Sequence, residues 1–177
     1  MNINIISDYF SKAEKLIWSF SVLITVTAFI AFDRENYLSL AASLIGVTSL
    51  IFNAKGNPFG QMLMIAFSLL YGIISYSFSY YGEMITYLGM TMPMAILALI
   101  SWLKNPYNGN KSEVTVNHVT KKELIYICLL SGAVTALFYL ILEAFNTANL
   151  IPSTVSVTTS FLAVFLAFRR SPYHALA

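Results

Sequence analysis

Charged side chains are scarce in this sequence. Only 10% of its 177 residues are Asp, Glu, Lys or Arg, against roughly a quarter in an ordinary soluble domain. With 58% hydrophobic residues, a water-soluble fold of this size would lack polar surface. The apolar residues also fall in long runs, which points to an integral membrane protein whose first partner is the lipid bilayer. A net charge of +2 gives no electrostatic footprint for nucleic acid. The single cysteine, Cys128, excludes an internal disulfide and reads as a small core residue. His118 lies in a polar loop and His174 near the C-terminus, so neither suggests a metal site. No phosphate-cradling glycine loop, nucleophile triad or metal-ligand spacing is present. The sequence therefore predicts no catalytic residues, no metal, no cofactor and no ATP coupling. At the N-terminus Asp8 and Glu14 stand where a signal peptide would be basic, so the first apolar run reads as a retained helix.

What the chain has in quantity is membrane-length helix. A spanning helix takes about 20 mostly apolar residues, and six candidates occur. They are roughly Leu16–Phe32, Leu38–Asn53, Phe59–Tyr80, Glu83–Leu103, Leu124–Glu143 and Ile151–Phe168. In lipid only helices or closed barrels satisfy their backbone, and runs this long are helices. Placing the N-terminus in the cytoplasm puts nine of the ten Lys and Arg residues on that side, with Arg34 alone opposite. That split follows the positive-inside rule.

A short motif recurs. "KGNPF", from Lys55, returns as "RRSPY", from Arg169, at an offset of 114 residues. Both copies follow helices that cross the membrane in the same direction, which predicts a parallel repeat, a recognised transporter plan. The expected organisation has five parts. Residues 1–37 hold an N-terminal segment and an extra helix, and 38–103 a first three-helix unit. Residues 104–123 form a cytoplasmic loop, 124–150 a linker helix with an outer loop, and 151–177 open a second unit. The repeat predicts two further helices after Ala177, with Ala175-Leu176-Ala177 at the start of the first.

Polar groups at membrane depth are costly and so are candidate functional residues. Glu83 begins the fourth helix, as an interfacial helix-start acid or as a ligand contact; both readings stay open. Further along, Tyr87 and Thr91 are one turn apart and share a face. Pro93 predicts a kink that frees the carbonyl of Gly89. In the sixth helix Ser153, Ser156 and Ser160 share a face, extended by Thr154, Thr158 and Thr159. Such hydroxyls either line a pathway or bridge neighbouring helices. Tyr71, deep in the third helix, is placed to stack on a flat ring or to fill the core. Asn53 and Gln61 flank the first motif copy and read as substrate contacts or helix caps.

Three stretches, "NAKGNPFGQ", "YYGEMITYLGMTMPM" and "LIPSTVSVTTSFLAVFLAFRRSPY", resemble the PnuC family of bacterial nicotinamide riboside transporters. The resemblance runs from about Leu38 to Ala177, and the "YYGE" turn and Trp102 are its better markers. It implies an all-α polytopic fold like the SWEET sugar transporters, with two three-helix bundles and a linker helix. It also implies uptake of the vitamin by facilitated diffusion, trapping by a separate kinase, and a homo-oligomer, with a trimer as the expected state. Family members hold the ligand between the bundles by aromatic stacking and by amide or hydroxyl hydrogen bonds. The matching helices here carry Tyr87, Thr91, Ser156 and Ser160, while the family's aromatic-rich motif with an asparagine belongs to the helix expected after "RRSPYHALA". A nicotinamide ribosyl cation suits aromatic faces, and Tyr71, Tyr87 and the acid Glu83 are consistent with it. Thiamine and riboflavin, carried by related proteins, are the alternative substrates. A non-transporting assembly subunit is the alternative role.

Overall fold

The computed structural model of the chain describes residues 9–147 and 149–175. Six helices long and apolar enough to cross a membrane make up its frame. They are α1 (Lys12–Phe32), α2 (Tyr37–Ala54), α3 (Pro58–Ser77), α4 (Tyr81–Lys104), α5 (Lys121–Ala144) and α6 (Leu150–Phe168). Each expected run forms its helix, so the all-α polytopic class holds.

The ends differ from the sequence reading for local reasons. Helices α1 and α5 begin three to four residues early because each opens with a capping box. In α1 the Ser11 hydroxyl accepts from the Glu14 N–H at 3.2 Å, while Glu14 Oε2 accepts from the Ser11 N–H at 2.7 Å. Thr120 and Glu123 do the same for α5. The signature S/T-x-x-E outranks the hydropathy edge as a start signal. Helix α3 stops at Ser77, short of Tyr80, because Ser79 takes a left-handed conformation at φ 60°.

Helix α4 departs most. Ahead of Pro93 it contains a π-helical segment, Thr86–Thr91, which the sequence reading did not foresee. There the Met92 N–H donates to the Tyr87 carbonyl, five residues back. Pro93 then falls in the first turn of the regular stretch Met92–Lys104, where a missing N–H matters least. The insertion absorbs the proline, and such segments cluster at functional sites.

The polar loop after α4 holds an antiparallel pair the sequence reading did not foresee, β1 (Pro106–Tyr107) and β2 (Asn110–Val114). Its turn is Asn108-Gly109 with φ of 49° and 79°, the signature of a tight hairpin. The Val114 N–H donates to the Gly56 carbonyl and the Asn117 N–H to the Arg170 carbonyl. The loop thereby joins the two motif copies.

Helices α2, α3 and α4 pack successively, α6 packs on α4, and α5 lies outside α6. Helix α1 lies against α2, and none of its residues is buried. One apolar cluster joins Met90 to Phe138, Leu142, Val157 and Phe161 across α4, α5 and α6. A second, at the basic end, gathers Ala98, Trp102, Val114 and Ala167. The Trp102 Nε1–H donates to the Ala167 carbonyl at 2.7 Å, tying α4 to α6.

Candidate functional site

At the end of the bundle away from the basic turns, the walls of α3, α4 and α6 diverge around a cavity of about 930 Å³. The turn between α3 and α4 and the turn between α5 and α6 form its rim. All six residues singled out as ligand contacts, Tyr71, Glu83, Tyr87, Thr91, Ser156 and Ser160, line this one space.

An aromatic corner is built from α3 and α4. The Tyr71 and Tyr87 rings lie 4.8 Å apart, and Phe67 stands 5.1 Å from Tyr71 and 5.9 Å from Tyr87. Tyrosines spaced this way present flat faces and a polar tip. Their closeness depends on Gly72. A Cβ built there would sit 2.5 Å from the Leu88 side chain, so any larger residue must displace that side chain.

Polar groups along α4 have divided roles. The Thr86 hydroxyl donates to the Gly82 carbonyl at 3.0 Å, and the Thr91 hydroxyl to the Thr86 carbonyl at 3.3 Å. Both are buried and both line the cavity, with their hydroxyls bonded back to the backbone of their own helix. Glu83 stands half-buried in the first turn of α4, and it is the one charged side chain among the described residues that line the space.

Helix α6 separates the two readings of its hydroxyls by face. Ser153, Ser156 and Ser160 line the cavity. Thr154 and Thr158 instead face α5, where the Thr158 and Thr135 hydroxyls are 2.8 Å apart. They border a shallow apolar groove of about 740 Å³ with Cys128, Ser131 and Gly132. The pathway reading thus fits the serines and the bridging reading Thr158, whereas the Thr154 and Thr159 hydroxyls donate to the Leu150 and Ser156 carbonyls of their own helix. Cys128 is exposed rather than part of the core.

Asn53 and Gln61 lie elsewhere. Both are buried, and the Gln61 side-chain N–H donates to Asn53 Oδ1 at 2.9 Å, bridging α2 to α3. They neither cap their helices nor line the cavity. The sequence reading missed Asn146, Thr147 and Asn149, which bring amide and hydroxyl groups to the rim. Asn146 and Asn149 have positive φ, 49° and 55°. The run "NTAN" was the available signal, since asparagine tolerates that conformation and favours turns.

The space thus presents paired rings, one acid and several hydroxyls. Comparison with known proteins supplies the family and the fold. The family described as nicotinamide mononucleotide transporter matches residues 36–176. A curated relative from Neisseria mucosa, a nicotinamide riboside transporter PnuC, is 23% identical over 157 residues, which is 87% of this chain and 60% of the relative. The chain thus spans about 60% of the length of that relative. A crystal structure of the vitamin B3 transporter PnuC superposes with a TM-score of 0.76 at 22% identity, over 93% of this chain and 71% of that one. It is the same helical fold.

Proposed function

The chain belongs to the nicotinamide mononucleotide transporter family, and from that premise we propose that it carries nicotinamide riboside across the bacterial cytoplasmic membrane. The observation that carries this reading is the cavity, in which Tyr71, Tyr87, Ser156 and Ser160 converge from three helices. The tyrosine faces receive the pyridine ring and the serine hydroxyls the ribose. Transport is by facilitated diffusion, with a separate kinase trapping the vitamin inside.

We place the N-terminus in the cytoplasm, in keeping with nine of ten basic residues on that side. The cavity then faces outward, and the cluster around Trp102 closes the inner end. The parallel repeat is part of the same proposal, with α1 as the counterpart of the linker α5. The protein works as a homo-oligomer, a trimer by its resemblance to the PnuC family.

The test is uptake of labelled nicotinamide riboside by cells that lack their own carrier. Accumulation above the vector control is expected on expression of this chain. Uptake at the control level, with the protein present in the membrane, overturns the substrate and redirects the test to thiamine and riboflavin.

A further inference from the structure

Three helices in this protein carry a glutamate at the third position of their first turn: α1 with Glu14, α5 with Glu123 and α4 with Glu83. The first two have structural work. Each closes a capping box, and each pairs with a basic residue, Glu14 with Lys55 and Glu123 with Arg169. Glu83 does neither. The residue at its helix cap, Tyr80, makes no side-chain capping bond, and among the described residues no basic group lies within 4.0 Å of Glu83. Its carboxylate instead lines the cavity, on the helix that presents Tyr87 opposite Tyr71.

An acid at this place does interact with the positive end of its helix, a contribution of less than about 1 kcal/mol at an exposed site. That alone needs no position on a cavity wall. A half-buried carboxylate without a partner is stabilised by a cation far more than by a neutral molecule. Tyrosine faces add to the same preference, because the negative face of the ring attracts positive charge. Among the described residues no basic side chain lines the cavity to offset either effect.

We propose that Glu83 is the counter-ion of the ligand, and that the cavity selects cationic nitrogen heteroaromatic rings over neutral ones of the same shape. This rests on the transport reading given above and narrows it. Pyridinium and thiazolium vitamins share the chemistry required, and neutral flavins lack it. The positive charge of the ring lies between the Glu83 carboxylate and the tyrosine pair, and no covalent step is involved.

The experiment measures binding to the purified chain in detergent with four probes. They are nicotinamide riboside, its neutral dihydro form, thiamine and riboflavin. Wild-type protein is expected to bind one or both cations, and to prefer nicotinamide riboside to its dihydro form by roughly tenfold or more, as one partly solvated Coulombic contact allows. Glu83→Gln is expected to abolish that preference while leaving affinity for the neutral form within about twofold. Glu83→Asp retains the preference and shows that charge, not shape, is responsible. A wild-type preference that is unchanged in a monodisperse Glu83→Gln protein overturns this inference alone, as does wild-type binding of the neutral form equal to that of the cation. Failure of a monodisperse wild-type protein to bind any of the four overturns the transport reading and this inference with it. If thiamine binds and nicotinamide riboside does not, the charge rule is supported and the substrate reassigned.

Discussion

Lys55 Nζ lies 3.3 Å from Glu14 Oε2, joining the C-terminal cap of α2 to the capping box of α1. The same relationship recurs between Arg169, which caps α6, and Glu123, in the capping box of α5. In each hairpin the basic residue that opens the repeated motif reaches across to the acid that starts the preceding helix. Two hairpins built by one rule support the proposed parallel repeat, and they extend the likeness from five residues to a pair of helices. Partly exposed pairs of this kind add little to stability. Their effect is to hold each motif turn against the start of the neighbouring helix.

Trp102 is the principal anchor of the basic end. It is 1% exposed and donates to the Ala167 carbonyl, which also accepts from the Arg170 N–H. Trp102→Phe is therefore expected to lower stability by only about 1 kcal/mol, because the carbonyl keeps a partner. Trp102→Ala also opens a cavity, and about 3–5 kcal/mol is expected. Thermal unfolding of the two variants in detergent measures the difference. Equal losses would show that packing contributes nothing beyond the hydrogen bond.

The α3–α4 contact at Gly72 is filled by the Leu88 side chain. Gly72→Ala places a methyl group 2.5 Å from the Leu88 side chain, and overpacking of this kind costs about 1–3 kcal/mol. Leu88→Ala in the same chain is expected to restore part of the loss, because the two sites share one contact. A double-mutant cycle on melting temperature tests it, and strict additivity refutes the clash.

The orientation yields to cysteine labelling. In a Cys128→Ser background, a cysteine at position 34 lies on the outer side of the proposed topology and one at position 110 on the inner side. A membrane-impermeant maleimide applied to intact cells is expected to modify Arg34→Cys and to spare Asn110→Cys until the cells are lysed. The reverse pattern inverts the topology, and with it the side to which the cavity opens.

Much of the frame was legible from hydropathy, since six apolar runs gave six helices. Two deviations have specific causes. The π-helical segment at Thr86–Thr91 arises where the chain accommodates Pro93 by inserting a residue rather than breaking, and a residue pattern does not distinguish these outcomes. The hairpin at Pro106–Val114 was available from Asn108-Gly109, but its short strands are held in part by Gly56, far off in the sequence. For the site, helical periodicity grouped Ser156 with Ser160 and Tyr87 with Thr91. It gave no sign that α3 would bring Tyr71 to Tyr87, because that meeting depends on the Gly72 contact between helices. Asn53 and Gln61 show the opposite failure. Polar residues beside a repeated motif read as substrate contacts or helix caps, yet they do neither and instead bond to each other inside the bundle.

The two faces of α6 provide the sharpest functional contrast. Ser156 and Ser160 line the cavity, whereas the Thr158 hydroxyl meets Thr135 at 2.8 Å on the opposite side. In the uptake assay, Ser156→Ala/Ser160→Ala is expected to reduce nicotinamide riboside transport by roughly tenfold or more, as two lost ligand hydrogen bonds of about 1 kcal/mol each require. Its melting temperature should stay near that of the parent, since neither hydroxyl joins α6 to a neighbour. Thr158→Val should do the reverse, keeping the shape while removing the inter-helix hydrogen bond, so stability falls by about 1 kcal/mol and uptake persists. Unchanged uptake by a well-expressed double serine variant removes α6 from the binding site. The cavity would then hold its ligand through α3 and α4 alone.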